Sequence, residues 1–390
     1  MTIDKPLGMR HVVVVGAGGN IGSHLVPHLA RMPEIGRLTL IDRDSYEPRN
    51  LWNQAVTAVD VARRKVAVQA RVARRINQGL VIRTIAEPVE DVPLGLLRGD
   101  LILACLDSRR ARQVVNEAAM RLGVPWIDAG VLGDGMLTRI ATFDSIPAAP
   151  CLECAWNERD YAAVEQAYPC QGAVAPTLPT SAPATLGALA AALQAIECSR
   201  VLCDPSREMR AAVAELVVGT SPHCHYRTEH RRNAACRLGA HDNWDIPLLS
   251  LDHSTITLGA LRDVLVPNGG LRGGGRLRVH GRSFTTGLTC GGCGARRATL
   301  RLSTMAPMTV PSCVRCATAM QATGMDMTDE LELPALAPRD LHRTCRRIGF
   351  RAGDVLTIAS AGRLRHVELD DLRSARGDSL TPAHLHMVTT

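Results

Sequence analysis

Three groups of residues in this 390-residue chain have types and spacings that could do chemistry. The first is a glycine turn, GAGGN, in which Gly16, Gly18 and Gly19 follow the apolar run 12–15 and Asn20 opens a helix-like segment. Such a turn lets backbone amides approach phosphate closely, and the helix start adds partial positive charge. Asp42, 24 residues beyond Gly18, ends the next apolar run, where an acid can hold ribose hydroxyls. These residues alone fit a nicotinamide dehydrogenase as well as an ATP enzyme. The second group is a single residue. Of 45 lysines and arginines only Lys5 and Lys65 are lysines, so Lys65 is either accidental or chemically required.

The third group is the thirteen cysteines. PCLEC sets Cys151 and Cys154 at the spacing that shares one tetrahedral Zn²⁺. CGGC (Cys290, Cys293) and CVRC (Cys313, Cys316), nineteen residues apart, make the four-cysteine pattern of a zinc ribbon. A closed four-thiolate site leaves no catalytic position, so this zinc reads as structural. Cys105, Cys198, Cys203 and Cys345 stand in apolar or helical contexts and read as core thiols.

These groups need elements to position them. Between residues 10 and 145, apolar runs at 11–15, 37–41, 80–86, 101–106 and 125–130 alternate with helix-like segments at 21–31, 61–78 and 110–122. The alternation predicts an α/β fold, a Rossmann-like doubly wound parallel sheet covered on both faces. Residues 151–183 read as loop and 185–202 as an Ala/Leu-rich helix. Near 245 the character changes to a glycine cluster, short β-like runs and the two CxxC pairs. We therefore expect a 1–245 domain followed by a smaller β-rich zinc-ribbon domain, 246–390, serving recognition.

Composition narrows the classes. With 46% hydrophobic and 21% charged residues, wholesale disorder is excluded. The net charge of +7 is spread as scattered arginines, a mild attraction to polyanions, and no nucleic-acid partner is expected. The longest apolar stretch, 184–196, is short beside the roughly 20 residues of a membrane span. The apolar run 12–15 is too short for a signal peptide. A cytoplasmic protein without a membrane partner is expected, its cysteines ligands and thiols rather than disulfides.

GAGGNIGS, LTLIDRD, NLWNQ (Asn50 to Gln54), Lys65, and LILACLD with Arg112 and Asn116 together resemble the ThiF/MoeB adenylyltransferases, bacterial relatives of ubiquitin-activating enzymes, over roughly residues 10–245. The resemblance implies a homodimer that binds ATP and Mg²⁺. It would transfer AMP to the C-terminal carboxylate of a ubiquitin-like or sulfur-carrier protein ending in Gly. It also implies that Gly16, Gly18, Gly19, Asn20, Asp42, Asp44, Asn50, Leu106 and Arg112 line the nucleotide, that Lys65 contacts phosphate and that Asp107 holds Mg²⁺. Cys170, in YPCQGAVAP, falls where many relatives carry a reactive cysteine, so thioester or persulfide formation there is a further expectation.

Three positions depart from the family pattern. Asn53 stands where the motif has arginine, a neutral amide in place of a charge on the triphosphate, with Arg49 or Arg43 as substitutes. Relatives carry an N-terminal arm that reaches the partner subunit's site with an arginine, and here that arm is expected to be absent or reduced to Arg10. Relatives complete the first zinc site with a second CxxC. Here RRNAACRLGAH keeps Cys236 but has Gly239 at the last cysteine, leaving His241, or else Cys224, His223 or His225, as fourth ligand. The remaining alternatives are adenylation of a small peptide or tRNA-borne carboxylate, and a non-catalytic nucleotide-binding scaffold. A nicotinamide dehydrogenase comes last, since no His/Arg substrate pair is evident.

Overall fold

The computed structural model describes residues 9–165, 182–204, 211–266, 275–303, 311–360 and 362–370. They form two compact units, one of residues up to 92 together with 97–244, the other of 93–96 and 245 onward.

The first unit runs β1 (Arg10–Val15), α1 (Asn20–Leu29), β2 (Ile35–Ile41), α2 (Lys65–Ile76), β3 (Val81–Ile85), β4 (Leu101–Ala104), α3 (Arg109–Leu122), β5 (Trp126–Leu132), β6 (Leu137–Phe143), α4 (Glu158–Glu165), α5 (Ala184–Cys203), β7 (Ala212–Val217) and β8 (Cys224–Glu229). Its sheet has the order β3-β2-β1-β4-β5-β6-β7-β8. Pairing is parallel from β3 to β5 and antiparallel from β5 to β8. The five strands that the alternation predicts are the parallel part, and the sheet continues antiparallel through β6 and β8, each reached by a short turn, and β7, reached after α4 and α5. β1 reads as an unbroken valine run because it is central and covered on both faces. Val12 pairs with Leu38 on one side and Leu101 on the other, and Val12 to Val14 are fully buried.

α5 is twenty residues, longer than the apolar stretch read from sequence, and by length and composition it could cross a membrane. In the fold it packs on α1, β4, β5 and β6, burying Leu186, Ala190, Ala191, Ala195, Cys198 and Leu202. Its fully buried Gln194 donates to the carbonyls of Ala104 (3.1 Å) and Ile127 (2.9 Å), tying the helix to the ends of two strands. α4 is a helix where the sequence read as loop. Cys203, read as a core thiol, is exposed at the end of α5.

Gly16 ends β1 at φ +81, and a Cβ there would collide with the Cys105 carbonyl. Gly16→Ala should cost about 1–3 kcal/mol from backbone strain alone, read as a lower urea midpoint. A change under about 0.5 kcal/mol would mean that the turn relaxes freely.

The second unit contains β9 (Leu248–Ser250), α6 (Leu258–Leu265), β10 (Gly275–Val279), β11 (Phe284–Cys290), β12 (Arg296–Leu302), β13 (Met320–Gln321), β14 (Met327–Thr328), β15 (Leu331–Glu332), α7 (Pro338–Leu341), α8 (Cys345–Ile348), β16 (Val355–Ser360) and β17 (Arg363–Asp370). Five strands order as β15-β10-β16-β17-β9, and β12-β11-β13 form a smaller sheet with β14 also on β11. Leu258, Leu261, Leu277, Phe284, Phe350, Leu356 and Ile358 share its core, with Cys345 among them.

Candidate functional site

β1 is the point where the strand order reverses, with β2 on one flank and β4 on the other. Open parallel sheets bind ligands in the crevice at such a point, beyond the carboxyl ends of the strands. Gly16 to Gly19, Asp42 and Asp107 all lie just past those ends. α1 has Gly19 as its N-cap, without a side-chain cap and without an acid in its first turn, so its leading amides face whatever enters.

Asp42 organises the turn. Its carboxylate accepts from the backbone N–H of Gly18 (2.9 Å) and of Asp44 (3.0 Å). Burial pushes this carboxyl above its ordinary range, while Lys65 and the two amides pull the other way. Lys65 is not the solvated mid-helix residue that the predicted helix 61–78 would make it. The helix begins at Lys65 itself, after Ala62 at φ +67, and the Lys65 amide donates to the Asp44 carbonyl (3.0 Å). Its side chain is 9% exposed, and Nζ lies 3.5 Å from the Asp44 carboxylate. A Cβ on Gly18 would overlap the Lys65 stem from Cβ to Cδ, so this glycine makes room for the lysine.

The other sequence candidates fall into distinct roles. Asp107 is exposed, immediately before Ser108, whose Oγ caps α3 by accepting from Ala111 (3.3 Å). Arg112 binds both oxygens of buried Asp128 (2.9 and 3.0 Å) and the Leu106 carbonyl, which fixes the loop after β4. Asn50 accepts from the Glu47 amide (2.8 Å) and shapes its own turn. Arg49 is exposed and paired with Glu47 (2.6 Å), and Arg43 with Asp44 (3.7 Å). Ser23 Oγ accepts from Ala55 N–H (3.0 Å), laying the 53–55 loop against α1. Around that junction Asn20 Oδ1, Asn53 Oδ1 and Gln54 Oε1 are buried without a partner among the described residues. Asn20 Oδ1 lies against Gly187 of α5, and the unspent acceptors of Asn53 and Gln54 fit a polar ligand such as a nucleotide. Cys170 lies outside the described residues.

Two sulfur clusters follow. Cys151, Cys154, Cys236 and His241 are all buried, with their donor atoms within 4.8 Å of one another. Cys151 Sγ is 3.9 Å from Cys154 Sγ and 3.7 Å from Cys236 Sγ, and Cys154 Sγ is 3.8 Å from His241 Nε2. Zinc–sulfur bonds of about 2.3 Å make a tetrahedron with edges of about 3.8 Å, so the donor set fits zinc. His241 Nδ1 lies 3.1 Å from the Ala149 carbonyl, which would hold the ring with Nε2 toward the sulfurs. Cys224 sits elsewhere, on β8, with its sulfur near Thr220 Oγ1 (3.7 Å).

Residues to which the sequence assigned no part in the zinc site support this cluster. Glu153, inside PCLEC, accepts from Gln113 (3.1 Å) and Asn116 (3.2 Å), while Asn116 Oδ1 accepts from Leu152 N–H (3.0 Å). Arg232 donates to Cys154 Sγ (3.7 Å), a cation beside three thiols that would become thiolates on zinc. An acid enclosed between two cysteines and an arginine just before the third were the available signals. His241→Ala should remove about one equivalent of zinc per chain and Cys224→Ala none, measured as metal content. The reverse result would reassign the fourth ligand.

Cys290, Cys293, Cys313 and Cys316 form the second cluster, at 3.3 Å for Cys290–Cys316 and 3.6 Å for Cys293–Cys313. Each pair sits on a knuckle: Gly294 N–H returns to the Cys290 carbonyl and Ala317 N–H to the Cys313 carbonyl, both 2.9 Å. The residue after each second cysteine has positive φ, +68 at Gly294 and +59 at Ala317.

Comparison with known proteins follows this geometry. Over 154 residues the chain is 34% identical to adenylyltransferase and sulfurtransferase MOCS3 of Mus musculus, covering 38% of this chain and 32% of that protein. It is 28% identical over 159 residues to the sulfur carrier protein ThiS adenylyltransferase of Bacillus subtilis, covering 38% and 45%. The chain thus spans less than half the length of these curated relatives. Among solved structures, E. coli MccB with AMPCPP and MccA is similar at a TM-score of 0.49 and 21% identity, over 60% of this chain and 68% of that one. The sequence model of the ThiF family matches residues 4–238, three fifths of the chain and the span that carries the glycine turn, Lys65, Asp107 and the three cysteines of the first sulfur cluster, so the protein belongs to the ThiF family.

Proposed function

We propose that the protein is an ATP-dependent adenylyltransferase that activates the C-terminal carboxylate of a ubiquitin-like or sulfur-carrier protein ending in Gly. The observation that carries this reading is Lys65, a buried ammonium beside Asp44 whose stem lies against the glycine turn. A glycine turn alone holds phosphate. A lysine beside it answers charge that builds up during transfer. In this reading the carrier carboxylate attacks the α-phosphorus and pyrophosphate leaves. The turn amides and Lys65 stabilise the phosphate charge, Asp42 binds ribose, and Asp107 would hold Mg²⁺, which supplies Lewis-acid charge neutralisation when bound. The names of the mouse and Bacillus subtilis relatives support the carrier class. A cytoplasmic homodimer, and transfer of the activated acyl group to the Cys170 thiol, belong to the same proposal.

Asn53 at the arginine position, and Arg49 held by Glu47, favour a second reading, a nucleotide-binding scaffold without turnover. ATP–pyrophosphate exchange with Gly-terminated carriers separates the two. Exchange that requires a carrier establishes adenylation. ATP binding with no carrier-dependent pyrophosphate release would leave the scaffold.

A further inference from the structure

Residues 245–390 contain eighteen arginines and no lysine against thirteen acids, an excess of five within a chain whose whole net charge is +7. Part of this excess meets in a groove of about 540 Å³ lined by Arg297 and Arg301 of β12, by Arg339 and Asp340 of α7, and by Arg343 and Leu288. Four arginines there face one acid. Asp340 holds Arg339 and Arg343 only loosely, at 3.8 and 3.7 Å, and Arg297 and Arg301 make no ion pair among the described residues.

The strand that carries them is an edge. β12 pairs with β11 alone, and among the described residues its other side has no partner strand. Leu300 and Leu302 turn into the core while Arg297 and Arg301 remain exposed on either side of an irregularity in the β11–β12 register, where Arg301 pairs with Thr285 and Arg297 with Leu288, and both line the groove. An open edge offers main-chain hydrogen bonds to an added strand, and alternate side chains beside it read that strand's sequence. Guanidinium forks match carboxylates in pairs. Nucleic acid fits less well. The only Phe, Tyr or Trp residues in 245–390 are Phe284 and Phe350, both buried, so no large aromatic ring is available for base stacking.

We propose that the β12 groove docks an extended acidic segment of a polypeptide partner, which lies along the β12 edge and places glutamate or aspartate against Arg297 and Arg301. This inference goes beyond the adenylation reading and does not depend on it, since its test is binding and not turnover.

The test uses the full chain and fluorescence anisotropy with a labelled peptide of alternating glutamate and valine, in competition with single-stranded RNA of equal charge. Arg297→Glu with Arg301→Glu should weaken peptide binding at least tenfold, as loss of two charge-assisted contacts requires. Arg346→Glu with Arg347→Glu makes the same charge change at exposed arginines that do not line the groove, and should cost less than about threefold. The paired lysine substitutions at 297 and 301, which keep charge and lose the fork, should weaken binding severalfold and cover the case of a reversal that fails to fold. Equal loss in both reversals, no loss in the groove reversal, or RNA displacing the peptide would each overturn the proposal.

Discussion

Replacing Cys313 with serine should remove about one zinc per chain and unfold the knuckles that carry Cys290 to Cys316, while the eight-stranded sheet stays intact. The magnitude follows from how little else holds this region. Around the four sulfurs the apolar contacts are Met320, Leu288 and Ala295, beside the buried Cys290 and Cys313 themselves. Burying a side chain of that size contributes about 1.5–3 kcal/mol, whereas each ordered backbone residue costs about 1–2 kcal/mol. The two knuckles hold far more residues than apolar contacts, so packing alone leaves them unfolded. A structural zinc contributes about 10–16 kcal/mol in comparably small modules, enough to reverse that balance. Limited proteolysis between β12 and β13, read together with metal content, is the direct measurement. Normal protease resistance in a zinc-free Cys313→Ser protein would show that the second unit's main core, through Phe284, Leu300 and Leu302, holds the knuckles without metal.

The parts of this molecule that were legible in sequence are those fixed by short-range chemistry. The valine run and its glycine turn are contiguous, and the four ribbon cysteines carry their spacing within one stretch. Lys65 stood out by its rarity and by its place in the family pattern. What stayed hidden depends on partners far along the chain. The tie that holds Arg112 in place, to Asp128 sixteen residues later on β5, is one example. The fourth donor of the first sulfur cluster comes 87 residues after Cys154, too far for spacing to decide between His241 and Cys224. The antiparallel half of the sheet was missed because β6 and β7 pair across α4 and α5, and in the second unit β13, β14 and β15 are two residues each, too short for any periodicity. The start of α2 at Lys65 was illegible for a local reason: 61–64 has helical composition, but Ala62 adopts positive φ.

That late start gives Lys65 its leverage, and Lys65→Ala should weaken Mg²⁺–ATP binding by about 10- to 150-fold, the equivalent of about 1.5–3 kcal/mol for one charged contact. Calorimetry on wild type and variant, with NAD as the comparison ligand, measures it directly. Two features set the size of the effect. The side chain is nearly enclosed, so its interaction with an incoming phosphate is weakly screened compared with that of exposed Arg43 or Arg49. And the neighbouring cations are less well placed to replace it, because Arg49 pairs with Glu47, Arg112 with Asp128, and Arg43 is exposed. Gly18→Ala should reproduce part of the loss, since the added methyl meets the Lys65 stem at its Cβ, close to the backbone, where a flexible tip cannot relieve the contact. The two substitutions act on one contact, so together they should cost less than the sum of each alone. Full additivity would mean that Gly18 acts on the turn and not through the lysine. ATP binding indifferent to Lys65 would remove the observation on which the adenylation reading stands and move the weight to the scaffold.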